Sequence, residues 1–365
     1  MHPNNNLFRQ IWTALKNAYS NEPRGNNARR LNILASFIYG IINSRRANLP
    51  HIAQELPNQG KEESKVKQLI RFLSNKYVTL EFFFLPFAEK LLESLASEPL
   101  VLVIDGSTVG RDCVTLMVSV VYQGRALPLL WTTRKGKKGH FPEAMHIELI
   151  EAVHQLIPEG RDVVVLGDGE FDGIQWLATL EKFNWRYVCR TAHNSVFYQE
   201  DKRFLSHEIC PQQGQKRGIE KVQFTEQKYG FVTAIAWWER GYKKPIYLVS
   251  NFETAKDACF WYKKRFRIET FFSDQKSRGF NLQKSHLSDP ERLTRLLIAS
   301  SLAYIWIIYL AEHAINEGWQ ELIDRRKRTD LSLFQLGLRV LKRLLREGGA
   351  IPEFNFSMFS NALIE

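Results

Sequence analysis

Four side chains along one stretch, Tyr262, Arg265, Glu269 and Lys276, could act together on a polyanion. Read as a helix at about 100° per residue, these positions fall within an arc of about 60°. One face then carries a phenol, a guanidinium, a carboxylate and an ammonium in a row. A single carboxylate among cations suits a site that holds a metal ion and a phosphate together. Trp261, Ile268 and Phe272 form a second stripe, which would dock the helix on a core. An ordinary solvated helix with charge pairs has the same pattern, so the reading depends on what the rest of the chain supplies.

The chain supplies two further acids at strand ends. Val101–Ile104 is a short apolar run, like a buried central strand, and it ends in Asp105-Gly106-Ser107. Val163–Leu166 is another, and it ends in Asp168-Gly169. Between them the pattern predicts strands over Thr115–Tyr122 and Ala126–Trp131, turning at Gln123-Gly124-Arg125. A helix then opens at Pro142 and runs to about Ile157. Ile174–Phe183 reads as a helix and Arg186–Arg190 as a fifth strand. Strand, strand, strand, helix, strand, helix, strand is the order of an RNase H-like sheet, in which the first and fourth strands are neighbours. Ligands of open α/β sheets gather outside the C-terminal strand ends. Two carboxylates side by side there either take up a proton or hold a divalent cation.

These elements are set in a basic chain. Its 365 residues are 44% hydrophobic and 24% charged, with a formal net charge of +11. The length allows two or three structural units, and the charge argues for a polyanionic partner, of which nucleic acid is the usual one. The excess is concentrated between Lys263 and Lys284, where cations outnumber Glu269 and Asp274. Cys113, Cys189, Cys210 and Cys259 form no C-x-x-C pair, which argues against structural zinc and for thiols in a reducing cytosol. The N-terminus lacks the apolar core of a signal peptide. Leu296–Ala311 is apolar but holds Ser300 and Ser301, and reads as a buried helix rather than a membrane span.

Residues 1–96 read as an all-helical domain. Within it, 48–75 resembles a helix-turn-helix: a short helix Leu49–Leu56, a break at Pro57–Gly60 and a second helix Glu62–Ser74. Val66, Leu69, Ile70 and Leu73 are its expected buried stripe, with Lys65, Lys67 and Arg71 facing DNA. The catalytic unit is expected over 97–194 and 251–316, interrupted by a β-rich insertion over 195–250. Such an insertion would account for the distance in sequence from Asp168 to Glu269. Residues 317–365 are expected to form a C-terminal helical segment and tail, with a helix from Asp330 to Glu347 stopped by Gly348. His140, near the basic loop that begins at Arg134, reads as an ordinary polar histidine. Asp112, Glu170, Asp172 and Asp274 read as surface or supporting acids.

The spacing Tyr262-x2-Arg265-x3-Glu269-x6-Lys276, following both Asp-Gly turns, resembles the Y-R-E-K signature of bacterial insertion-sequence transposases. These are the fourth insertion-sequence family of the DDE superfamily, and the resemblance covers about residues 45–315. It implies an RNase H-like domain in which Asp105, Asp168 and Glu269 are the catalytic acids and hold two Mg2+ ions, with Mn2+ as a substitute. It implies that Tyr262, Arg265 and Lys276 contact DNA phosphates near the cleaved end. Some relatives stack a flipped base on a tryptophan of the insertion, and Trp237 and Trp238 lie in a comparable place. The implied activity is cut-and-paste transposition: metal-dependent cleavage and strand transfer by a homodimer on the terminal inverted repeats and target DNA, in the bacterial cytoplasm and on the nucleoid. The alternatives are an inactive or domesticated DNA-binding protein, or a nuclease of this fold without strand transfer.

Overall fold

The computed structural model describes residues 3–95, 99–137, 141–200, 202–323 and 331–361. The chain opens with helices α1 (Pro3–Asn17), α2 (Gly25–Ser44), α3 (Leu49–Glu55), α4 (Glu62–Leu73), α5 (Leu80–Phe83) and α6 (Leu85–Ser94). In α4 the expected stripe holds at Leu69 and Leu73, but Ile70 is exposed and Phe72 takes the buried place. The helix turns Phe72 towards α2, where its ring meets Phe37. Nor is this helical region set apart. Arg295 of the later helix α11 (Pro290–Asn316) donates to the carbonyls of Leu73 and Val78, and one apolar core runs from Leu7 to Phe359.

The centre is a single mixed sheet of ten strands among the described residues, flanked by helices. Its first five strands are β1 (Leu100–Thr108), β2 (Cys113–Tyr122), β3 (Arg125–Lys135), β4 (Val163–Gly167) and β5 (Arg186–Thr191). The next five are β6 (Val196–Gln199), β7 (Lys202–Leu205), β8 (Lys216–Phe224), β9 (Tyr229–Trp237) and β10 (Ile246–Ser250). In space the order is β3-β2-β1-β4-β5-β10-β9-β8-β6-β7, so β1 and β4 are neighbours. β1, β4 and β5 run parallel, and the other pairings are antiparallel.

Two details differ from the sequence reading. The β2–β3 turn is Gln123-Gly124 alone, because Tyr122 pairs with Arg125. Both turn residues have positive φ, 44° and 66°, which matches the twist of the strands they join and favours glycine at the second position. The strands of 195–250 form no separate layer: β10 hydrogen-bonds to β5 and carries the sheet onward through β9.

Helices α7 (Glu143–His154) and α8 (Ile174–Lys182) follow β3 and β4. After β10 come α9 (Ala255–Tyr262), a 3-10 turn over Lys263–Phe266, and α10 (Arg267–Gln275). α10 packs on β3 and β1, and α9 on β5 and β4. α11 is the longest helix among the described residues. By length and composition it could cross a membrane, but 94% of its apolar window is buried inside the protein, against α2, β3 and α12 (Leu333–Glu347). At Gly337 of α12 a β-carbon would stand 2.0 Å from the Ile307 carbonyl oxygen, so only glycine permits this approach. Gly348, at φ 68°, ends α12.

Candidate active site at the paired strand ends

The last parallel pair of β1 and β4 is Val103 with Leu166. Two residues further along each strand stand Asp105 and Asp168. β4 stops at Gly167, whereas β1 continues, paired with β2 alone, as far as Thr108. The Asp105-Gly-Ser segment is therefore strand and not the turn its sequence suggested. What ends before Asp105, at Val103, is the pairing of β1 with β4, and beyond it the two carboxylates stand at the parting of the strands. Each is held by a nearby amide: the Gly106 N–H donates to Asp105 Oδ1 at 2.8 Å, and the Glu170 N–H to Asp168 Oδ1 at 3.0 Å.

The third acid arrives on α10, in whose first turn Glu269 lies, where the helix dipole favours an anion. The stretch from Tyr262 to Lys276 is not one α-helix. The 3-10 turn advances about 120° per residue, so positions three apart eclipse. It brings the Arg265 guanidinium over the Tyr262 ring, 5.9 Å from its centre. Arg265 Nη2 then donates to Glu269 Oε1 at 2.5 Å, and its Nη1 lies 3.8 Å from Asp105 Oδ2. One guanidinium thus joins an acid of the sheet to the acid of the helix. Lys276, just past the end of α10, donates from Nζ to Ser107 Oγ at 2.6 Å, one residue beyond Gly106 on β1.

The electrostatics follow from this crowding. Burial first, then the neighbouring Asp168 and, less, Glu269 push the Asp105 carboxyl up to about 7, against the downward pull of Arg265 and the Gly106 N–H. Burial lowers the Lys276 ammonium, which Asp105 opposes. Tyr262 is 7% exposed, and burial raises its phenol above the usual range, against the pull of Arg265 and Arg190. Its phenol therefore stays neutral beside the Arg265 guanidinium.

The other sequence candidates are placed as follows. Trp237 is 2% exposed, with Lys216 Nζ and Lys263 Nζ 5.6 Å and 5.5 Å from its ring centre. Trp238 is half-buried and donates from Nε1 to the Tyr242 carbonyl at 2.9 Å. In α4, Lys65 donates to the Leu56 carbonyl, Lys67 pairs with Glu63 and Arg71 is exposed. That helix packs on α2, α3 and α11, and the structure does not bring these three cations to the acids. His140 lies outside the described residues. The supporting acids are more deeply engaged than their sequence suggested. Glu170 accepts from the Phe141 N–H and faces His146, and Asp172 accepts from Thr191 Oγ1 at 2.6 Å. Asp274 is 4% exposed and paired with Arg125 Nη1 at 3.2 Å, which ties α10 to the start of β3. No spacing links position 125 to position 274, so only the turn that brings β3 under α10 reveals the pair.

Among the described residues no group of three or more His, Cys, Asp or Glu stands ready to hold a metal as the side chains lie. The donor set nonetheless fits a hard divalent cation. It is all carboxylate oxygen, burial and the neighbouring Asp168 push Asp105 up, and the Arg265 guanidinium joins Asp105 to Glu269.

No curated protein matches the chain. Several solved structures are distantly similar, among them two complexes with DNA. The cryo-EM structure of the piggyBac transposase synaptic complex with hairpin DNA is 12% identical, covering 96% of this chain and 81% of that one, with a TM-score of 0.43. Ciona intestinalis endonuclease V, in complex with DNA containing an inosine, is 13% identical, covering 52% and 94%, with a TM-score of 0.30. The transposase DDE domain matches residues 96–306, more than half of the chain and all of the segment from β1 to the middle of α11 that carries the acids. The chain belongs to the transposase DDE domain family.

Proposed function

We propose that this transposase is that of a bacterial insertion sequence of the Y-R-E-K group, working by metal-dependent cleavage and strand transfer at the element's terminal inverted repeats. The observation that carries the proposal is the juxtaposition of Asp105 and Asp168, two residues beyond the last β1–β4 pair, with Arg265 spanning Asp105 and Glu269. DDE transposases use divalent metal ions. In this reading Asp105, Asp168 and Glu269 hold two Mg2+ ions, with Mn2+ as a substitute. Ions bound there would supply charge stabilisation to the reacting oxygens of a displacement at phosphorus.

The chain's own residues do the rest. Arg265 neutralises Asp105 and Glu269 when no DNA is present, then turns its guanidinium to a phosphate oxygen as the acids take their ligand. Lys276, held on Ser107 and partly desolvated, offers a second cation to the backbone on the β1 side. Tyr262, buried and neutral, fixes the angle at which Arg265 leaves the 3-10 turn. The Arg125–Asp274 pair holds α10, and so Glu269, against the sheet. The sheet from β3 to β5 with α7 to α11 is the RNase H-like unit, and β6 to β10 are its insertion. Residues 1–96 contribute to end recognition through Lys65, Lys67 and Arg71. A homodimer on DNA pairs the two ends, in the bacterial cytoplasm.

The test uses a supercoiled plasmid carrying the DNA that flanks the gene, with Mg2+. Glu269→Gln and Asp168→Asn should abolish nicking, leave the unfolding midpoint near the parent's, and retain gel-shift binding in Ca2+, because removing negative charge does not weaken attraction to phosphate. If Glu269→Gln nicks at near the parental rate, the catalytic assignment fails. Binding without nicking by the parent would mark a DNA-binding protein, and nicking without joined products a nuclease.

A further inference from the structure

Phe141 meets the surroundings of both sheet acids. A β-carbon at Gly106 would stand 3.2 Å from Phe141 Cε2, so the ring lies against β1 one residue beyond Asp105. The Phe141 backbone N–H donates to Glu170 Oε1, and the Glu170 N–H in turn donates to Asp168 Oδ1. A ring contact and two hydrogen bonds therefore cross from the strand of the first acid to the turn of the second. The sheet itself makes no such link there, because the β1–β4 ladder has already ended at Val103 and Leu166.

Both ends of this link are backed by packing. His146 of α7, 2% exposed, puts Nε2 3.4 Å from Glu170 Oε1. Its ring is set between Phe171 and Trp176, at 4.6 Å and 6.0 Å between ring centres. Phe171 folds back on the end of β4 so closely that a β-carbon at Gly167 would stand 2.5 Å from its Cβ. At the other end, the Arg134 guanidinium of β3 lies over the Phe141 ring, 4.5 Å from its centre. A carboxylate kept among these rings costs desolvation, which the Phe141 N–H offsets. An apolar side chain would avoid that cost but could not hold the Phe141 backbone.

We infer that Glu170 is a positioning residue for the proposed reaction: through Phe141 it fixes the separation of the Asp105 and Asp168 carboxylates, and His146 keeps the Glu170 carboxylate in place. The inference rests on Asp105 and Asp168 being the catalytic pair. Its mechanism is geometric, since a hard cation shared by two acids tolerates little error in their spacing. An amide oxygen at the same place would accept from Phe141 as a carboxylate does, so Glu170→Gln is the conservative variant.

The experiment compares Glu170→Ala, Glu170→Gln and His146→Phe with the parent as full chains, each checked by its unfolding midpoint. Three quantities are measured: the single-turnover nicking rate at saturating DNA, the duplex Kd in Ca2+, and Mn2+ binding without DNA, read from the electron paramagnetic resonance of the free ion. Glu170→Ala should lower the nicking rate and the Mn2+ affinity by about tenfold or more, as loss of a group that orients metal ligands does, with the duplex Kd changed less than about twofold. Glu170→Gln should stay within about threefold of the parent on every readout. His146→Phe, which keeps the ring packing and loses Nε2, should fall between the two. Equal losses in the Ala and Gln variants, duplex affinity that falls in step with the rate, or unchanged nicking and Mn2+ binding in Glu170→Ala overturn the inference. Normal nicking by Glu170→Ala beside none by Asp168→Asn removes the positioning role and leaves the acids. A parent that binds Mn2+ but never nicks, with binding weakened in Glu170→Ala and restored in Glu170→Gln, keeps the positioning role and removes the catalytic reading. A parent that does neither removes both.

Discussion

Glu312 offers a test of the electrostatics that is independent of DNA. It lies on α11, 7% exposed, with the Tyr122 hydroxyl of β2 acting on it. Burial, only partly offset by Tyr122, pushes its carboxyl from 4.5 up to about 7. A group whose folded pKa exceeds its unfolded value stabilises the fold below the unfolded value and loses that contribution as pH rises through the folded one. The window is therefore pH 4.5 to about 7. A shift of that size corresponds to about 3 kcal/mol. Glu312→Gln keeps an oxygen to accept from Tyr122 and removes the ionisation. The variant should be more stable than the parent at pH 8, by up to about 3 kcal/mol, and should show no such gain near pH 4.5. Urea unfolding of both chains at the two pH values measures the gap. A difference that does not change with pH, or a variant less stable at pH 8, refutes the account of this carboxyl as a buried, desolvated acid.

Arg125→Met leaves Asp274 buried without its cation. It should cost about 3 kcal/mol or more in unfolding free energy at neutral pH, and less at pH 5, where Asp274, already pushed up to about 6 by burial against the pull of Arg125, takes up a proton. Denaturation at both pH values reads this out. Gly337→Ala drives a methyl into the Ile307 carbonyl and should lower the melting temperature by several degrees, an outcome differential scanning calorimetry checks directly. Replacing Lys65, Lys67 and Arg71 together by Ala should flatten the salt dependence of duplex binding by about one unit of slope for each phosphate that these cations neutralise. An unchanged slope would remove α4 from the DNA interface.

The elements were legible where their signals are local. Val101–Ile104 and Val163–Leu166 announce buried strands by composition alone, and Gly348 announces the end of α12. The nearness of Asp105 and Asp168 was legible because each follows such a strand and β1 and β4 are neighbours. The extent of β1 was not, since its last residues are strand only through β2, and a strand paired on one side has no apolar run to mark it. The 3-10 turn at Lys263–Phe266 could not be read either. Its residues suit an α-helix equally well, and what sets the tighter pitch is the fit of Arg265 between Tyr262, Glu269 and Asp105. Ile70 and Phe72 exchanged places because hydrophobicity does not say which of two nearby apolar residues meets α2. The union of β5 with β10 was hidden for the same general reason: pairing between distant strands leaves no trace in the spacing of either.

That union has a consequence during synthesis. The strands β1 to β5 are complete once Thr191 has left the ribosome, but the free side of β5 is closed only when β10 arrives at Ile246–Ser250. At about 5–20 residues per second, the intervening chain takes several seconds to emerge. Through that interval β5, whose Tyr187, Val188 and Cys189 end up wholly buried, presents an unpaired row of N–H and C=O groups. Any other strand, including β5 of a neighbouring nascent chain on the same message, competes with β10 for it. Soluble yield is then a race between translation of residues 192–245 and collision between chains. Synonymous changes that slow the ribosome across that segment should lower yield without altering one amino acid.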